Sequence, residues 1–176
     1  MTGPIAVFVG SPGVGKTTIG EAVSAVLGVP FNDVDATIEA RTGRPIADLF
    51  VDEGEEAFRA LEHVVVAEAL ESFDGVVALG GGAILHADTR ELLKSHTVIH
   101  LTVEFATALK RIGITTHRPL LAINPRATLR YLLSQRLPLY ASVATHTVST
   151  EGKEPAEIAV EVAALLKGPA GAPGER

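Results

Sequence analysis

The sequence predicts a three-layer α/β sandwich around a five-stranded parallel sheet. Two observations predict it. Short, unbroken apolar runs alternate with longer segments whose apolar residues recur at helical spacing. The first run passes directly into a glycine-rich turn and then an amphipathic helix, the strand–loop–helix opening of an α/β domain. The 176 residues are 47% hydrophobic and 20% charged, which suits one domain with a proper core.

The elements follow in order. Residues 5–9 read as a buried strand because the run is apolar and β-rich. Ile19, Ala22, Val23, Val26 and Leu27 mark a helix that Gly28 stops. Residues 31–34 form a short strand and 36–41 a helix closed by Thr42-Gly43, with Asp35 as its possible cap. Residues 45–50 add a short helix, since Ile46, Leu49 and Phe50 share a face. Residues 55–71 form a longer one, with Ala57, Leu61, Val64, Val65 and residues 67–70 on its apolar side. A strand at 76–79 ends in Gly80-Gly81-Gly82. Asp88 can cap the next helix, and 98–101 is a strand. Residues 105–111 are helical, and 112–124 lack a period and read as a loop. Residues 126–136 are helical and Pro138 ends them. Residues 145–149 are the last strand. Pro155 opens the final helix at a position that tolerates its missing N–H. The Gly/Pro-rich tail 169–176 is expected to be disordered, leaving a single domain over 1–168.

Composition narrows the function. Net charge is −6, so there is no broad basic surface for nucleic acid. The absence of cysteine excludes disulfides and thiolate zinc sites. No run approaches a membrane span, and the first residues lack a signal-peptide pattern. The expected location is cytoplasmic. The six histidines show no metal-ligand spacing and are assigned no role.

The stretch Gly10-Ser-Pro-Gly-Val-Gly15-Lys16-Thr17 matches G-x-x-x-x-G-K-[ST]. Glycines let successive N–H groups point at one phosphate, and the following helix presents its positive end to the same anion. Lys16 can reach the β- and γ-phosphates, and the Thr17 hydroxyl can ligate Mg²⁺. D-x-x-G and N-K-x-D strings do not occur, which excludes a GTPase. Asp33 and Asp35 sit at the end of the second strand, the sheet edge where ligands bind. One can help hold Mg²⁺ through water, and the other can accept a hydrogen bond from a substrate hydroxyl.

Further motifs follow in order: D-V-D at 33–35, E-x-x-F-R-x-x-E at 55–62, L-G-G-G at 79–82, R-P-L-L at 118–121 and Q-R-x-P-L-Y at 135–140. Over residues 5 to about 165 the sequence resembles a shikimate kinase. The resemblance implies a nucleoside-monophosphate-kinase-like P-loop NTPase sandwich that transfers the ATP γ-phosphate to the 3-hydroxyl of shikimate. By position it implies that Asp35 binds the shikimate hydroxyls and acts as base. Arg59 and Arg136 clamp its carboxylate, and Gly80, Gly81 and Gly82 let backbone approach its ring. Gly13, Val14, Gly15, Lys16, Thr17 and Thr18 hold ATP. Arg111 stacks on adenine, and Arg118, in a lid at 112–124, contacts the transferring phosphate. Thr17 and Asp33 hold Mg²⁺, and Lys16, Asp35 and Arg118 are catalytic. Substrate binding is expected across about 33–62. The partners implied are ATP and shikimate, with no nucleic acid or membrane, and the family is usually monomeric.

Taken singly, these residues have other readings. Arg59 could be a helix-surface residue paired with Glu55, Glu56 or Glu62. Glu62 could hold Arg59 or lie on a solvated face. Arg136 could be a cation at its helix's C-terminal end. The alternatives for the whole chain are a gluconate- or nucleotide-type small kinase and a non-catalytic nucleotide-binding module.

Overall fold

Period-2 alternation along the central strand explains how the layers assemble. A computed structural model of the chain describes residues 3–114 and 124–168. Strand β1 (Ala6–Val9) is fully buried. Val7 and Val9 join one apolar cluster, whereas Ala6 and Phe8 join another on the opposite face. Successive side chains point to opposite sides of a strand, so a fully apolar run needs cover on both faces.

That cover comes from helices. The strands are β1, β2 (Phe31–Asp33), β3 (Val76–Ala78), β4 (Val98–Thr102) and β5 (His146–Ser149), in spatial order β2-β3-β1-β4-β5. Every pairing is parallel. Helices α1 (Lys16–Leu27) and α8 (Pro155–Leu166) cover one face through Ile19, Val23, Ile158 and Val162. On the other face lie α2 (Val34–Thr42), α3 (Ile46–Glu53), α4 (Glu55–Ser72), α5 (Ala87–Leu93) and α7 (Pro125–Val143). Helix α6 (Phe105–Ile114) packs a smaller cluster against α7 through Ala108, Ile112 and Leu129. A short 3-10 turn, Ala83–Leu85, follows the glycines after β3.

The strand order places the functional edge. From β1 the chain goes to the β2 side, and from β3 it crosses to the β4 side. Loops leaving β1 and β3 therefore emerge side by side at the carboxyl ends of the strands, the crevice where open α/β sheets bind ligands.

Several expectations are corrected. Strand β2 ends at Asp33 and helix α2 begins at Val34. The cap is Asp33 rather than Asp35: its Oδ1 accepts from the N–H groups of Asp35 and Ala36 at 2.9 and 3.3 Å. Asp88 is no cap either, because α5 begins one residue earlier and His86 occupies the cap position. Pro138 does not end its helix. Tyr140 and Val143 beyond it are buried in the core, and that packing outweighs the bond and the clash a mid-helix proline costs. Val26 and Val64 are half exposed, because the buried stripe of α1 runs through Ile19, Gly20, Val23 and Ser24 and that of α4 through Phe58, Glu62, Val65 and Val66. Helix α6 extends to Ile114, into the expected 112–124 loop. Residues 115–123 of that loop, with Arg118, and the tail from 169 lie outside the described residues.

One glycine matters for the sheet. A Cβ at Gly75 would stand 2.2 Å from the Pro30 carbonyl oxygen. That oxygen accepts from the Val76 N–H at 2.9 Å, beside the β2–β3 pairing. Gly75→Ala is expected to destabilise the protein by about 1–3 kcal/mol through forced backbone movement, read as a lower urea midpoint at unchanged m-value. An unchanged midpoint would show that the close approach is dispensable.

Candidate active site

The phosphate loop is built by conformations that side chains resist. Gly10, Gly13 and Gly15 have φ of 155°, 79° and 99°, and a Cβ at Gly10 would meet the Leu101 carbonyl oxygen at 2.6 Å. The loop delivers the chain into α1, whose first turn has no acidic residue and whose N-cap makes no side-chain hydrogen bond. Its positive end is thus aimed at the loop's interior with no carboxylate beside it on its own first turn. Lys16 Nζ donates to the Gly10 and Ser11 carbonyls at 2.8 and 3.1 Å. Val14 is buried and Thr18 exposed at the mouth of the loop.

The two aspartates are joined to this loop by one side chain. Thr17 Oγ1 donates to Asp33 Oδ2 at 2.6 Å, while the other carboxylate oxygen of Asp33 caps α2. A hydroxyl and a carboxylate side by side at a phosphate loop are the hard oxygen donors that Mg²⁺ prefers. Asp35 lies one helical residue further and faces the loop after β3: a Cβ at Gly80 would stand 2.6 Å from its Oδ1 and 3.0 Å from Glu62 Oε2.

The three glycines after β3 are where the predicted residues converge. Gly81 approaches the phosphate loop, with Pro12 Cδ 3.2 Å from where its Cβ would be. At Gly82 a Cβ would stand 2.1 Å from Arg59 Nη2, so the guanidinium occupies space that only glycine leaves open. Arg59 is no surface residue. Its side chain is 14% exposed, its Nη1 donates to Glu62 Oε1 at 2.6 Å, and its guanidinium lies 5.3 and 5.6 Å from the Phe58 and Phe50 ring centres. Its buried Nε has no hydrogen-bond partner among the described residues. Glu62 is 2% exposed, which settles its reading: it holds Arg59. Burial pushes the Glu62 carboxyl above its usual range; Arg59 pulls it back only in part, Asp35 adds to the rise and Arg136 opposes it. Arg136 is itself only 5% exposed. It sits inside α7 rather than at its end, because the helix continues through Pro138.

Two residues that the sequence did not single out support this region. Tyr140 is fully buried and its hydroxyl donates to the Gly81 carbonyl at 2.5 Å. His100, on β4, packs its ring 5.2 Å from that of Tyr140. Burial, helped by the positive charge of Lys16, holds the His100 imidazole below its usual pKa. It therefore stays neutral beside the loop's lysine. Tyr140 was visible only as part of a motif. His100 carried no signal at all.

A cavity of about 210 Å³ opens on the far side of the phosphate loop, lined among others by Val14, Thr18, Arg111, Thr150, Lys153 and Pro155. Arg111 Nη1 donates to the Gly13 and Val14 carbonyls at 3.3 Å each. Glu151 links the loop after β5 to α6, accepting from the Glu104 N–H and the Thr107 hydroxyl. Residues 150–155 have no motif of their own, and only the fold sets them against Arg111.

The family model for shikimate kinase matches residues 12–167. The chain belongs to the shikimate kinase family. It is 58% identical to a shikimate kinase of Salinispora tropica over 163 residues, 93% of this chain and 98% of that one. It is 59% identical to the shikimate kinase of Thermobifida fusca over 93% of this chain and 95% of that one. Among solved structures, the shikimate kinase from Acinetobacter baumannii in complex with shikimate superposes with a TM-score of 0.88 at 37% identity, covering 95% and 94% of the two chains. The protein is thus a kinase of the shikimate pathway with ATP as co-substrate. No helix among the described residues is long and apolar enough to cross a membrane.

Two outcomes are expected for this kinase. Tyr140→Phe leaves the buried Gly81 carbonyl without its phenol, costing about 1–3 kcal/mol of stability and raising KM for shikimate more than KM for ATP; equal KM values in variant and wild type would reduce Tyr140 to packing. For Glu62, a native pKa above the unfolded value near 4.5 means the native state binds the extra proton. Its contribution to stability is present at pH below about 4.5 and is lost as pH rises through the raised value. Wild type should therefore lose stability relative to Glu62→Gln as pH rises across that window in urea titrations, and parallel pH curves would contradict the shift.

Proposed function

We propose that the protein transfers the γ-phosphoryl group of ATP to the 3-hydroxyl of shikimate, giving shikimate 3-phosphate and ADP. The observation that carries this reading is the convergence of Asp35, Arg59, Glu62 and the phosphate loop on one three-glycine turn. Shikimate is a small anion bearing hydroxyls, and the cluster matches it group by group. Arg59 and Arg136 take the carboxylate, where planar guanidinium forks pair better than an ammonium. The buried Arg59 Nε makes no hydrogen bond among the described residues and only a loose ion pair, at 3.6 Å, with Glu55 Oε1. The Asp35 carboxylate accepts the hydroxyl hydrogen bonds and takes the proton of the attacking hydroxyl. Backbone at Gly80, Gly81 and Gly82 approaches the ring.

On the nucleotide side, N–H groups over Gly13–Thr18 and the Lys16 ammonium surround the β- and γ-phosphates. Lys16 exchanges its loop carbonyls for phosphate oxygens. Thr17 and Asp33 would hold Mg²⁺, which when bound would neutralise charge on the β- and γ-phosphates. Arg111 and the cavity beside Thr150, Lys153 and Pro155 take the adenine. Arg118, by the family resemblance, contacts the transferring phosphate and neutralises its charge. Phosphoryl transfer is mainly positioning and electrostatics, so such a set suffices. The kinase unit is residues 1–168, with shikimate bound across about 33–62. It acts in the cytoplasm as a monomer, as the family resemblance implies.

The decisive experiment is coupled ADP release with ATP and Mg²⁺, in the presence of shikimate, gluconate or AMP. ADP release should depend on shikimate alone. Asp35→Asn should lower kcat by about 10²–10⁴-fold, and Arg136→Lys should raise KM for shikimate by roughly ten- to a hundredfold. Turnover with gluconate or AMP instead would move the acceptor assignment, and ATP binding without turnover would favour the non-catalytic reading.

A further inference from the structure

The fold brings together two histidines that lie 23 residues apart in the chain (63 and 86). His63 is on α4, and His86 sits between the 3-10 turn and α5. Their rings stack with centroids 4.3 Å apart and planes 7° from parallel. Asp88, in the first turn of α5, adds a carboxylate. One donor atom from each of the three residues lies within 4.8 Å of the other two. We infer that His63, His86 and Asp88 form a second cation site, separate from the nucleotide's Mg²⁺, that takes a divalent transition metal of the Zn²⁺ or Co²⁺ type.

Three observations carry this. The donor set is two imidazole nitrogens and one carboxylate oxygen, which suits imidazole-binding ions and disfavours Mg²⁺, whose ligands are oxygens. His63 is already oriented from outside: its Nδ1 lies 2.8 Å from the hydroxyl of the buried Thr89. Ligating histidines are characteristically fixed by such a partner on the second nitrogen. Finally, His86 Nδ1 is buried with no hydrogen-bond partner among the described residues. Buried polar atoms are nearly always satisfied. Ring stacking accounts for the parallel imidazoles, but not for the orphaned nitrogen.

Binding requires one imidazole to turn out of the stack, because an ion lies in the plane of each ring that ligates it and two parallel rings cannot share it. Metal–ligand bonds of about 2.0–2.2 Å hold neighbouring donor atoms roughly 3 Å apart, so the cluster must contract. Asp88 is exposed, so its side chain is free of packing and gives the ion an entry path. Water completes the coordination. An ion here ties α4 to the segment that follows Gly82, close to the point where Arg59 of α4 lies against that glycine.

The test uses the full-length protein without nucleotide, in excess Mg²⁺, titrated with Co²⁺ and followed by its visible absorption and by thermal melting. Saturable binding of one Co²⁺, displaced by Zn²⁺, is expected. The melting temperature should rise by roughly 5–10 °C when Co²⁺ is about a hundred times its Kd. His63→Gln and His86→Gln should each weaken binding at least tenfold, and Asp88→Asn less. Absence of saturable binding overturns the site, as does equal binding by all three variants, which would put the ion elsewhere. Melting curves without Co²⁺ check that each variant folds; Asp88→Asn, at an exposed position, decides the matter if a histidine variant does not.

Discussion

Burying Glu62 beside Arg59 is the constraint from which most of the acceptor side follows. A carboxylate at 2% exposure cannot be left uncompensated, because an unpaired buried charge costs several kcal/mol. Arg59 answers it at 2.6 Å, and in doing so its guanidinium is pinned flat against the turn after β3. A Cβ at Gly82 would push the Arg59 guanidinium out of this place, so the glycine and the ion pair go together. Ion pairing, the glycine run and the aromatic wall of Phe50 and Phe58 are thus one packing solution. Arg136, also buried, acts on the same carboxyl, so the guanidiniums of Arg59 and Arg136 and the carboxylates of Glu62 and Asp35 gather around one turn.

The parallel sheet supplies the second half. Because β3 and β1 are neighbours, the glycine turn after one and the phosphate loop after the other leave the sheet at the same edge. Gly81 then packs against Pro12. Two binding loops that are far apart in the chain share a wall, with Tyr140 and His100 bracing it from below.

How much of this was legible depended on whether the signal was local. The phosphate loop was readable because its glycines and lysine act through backbone conformation within eight residues. The strands were readable because burial on both faces demands unbroken apolar runs. Arg59 and Arg136 were ambiguous as isolated residues: helical spacing pairs Arg59 with Glu62 but does not say that the pair is buried, and nothing local to Arg136 signals its burial inside α7. Pro138 misled for a related reason. Its intrinsic penalty is local, but the packing of Tyr140 and Val143 that overrides it is not. The exchange of cap between Asp33 and Asp35 turned on a two-residue boundary, below what periodicity can place. His100, Thr150 and Lys153 gave no warning, since their surroundings exist only once the sheet has formed.

Asp33 spends its two oxygens in different directions, one on the Thr17 hydroxyl and one on the N–H groups that begin α2. The second of those oxygens holds the backbone of Asp35. Whatever pulls on Thr17 therefore tugs, through a single rigid carboxylate, on the peptide that carries the acceptor-side aspartate. Donor and acceptor halves of the site thus share one carboxylate, so a substitution of Asp33 removes a support from both at once.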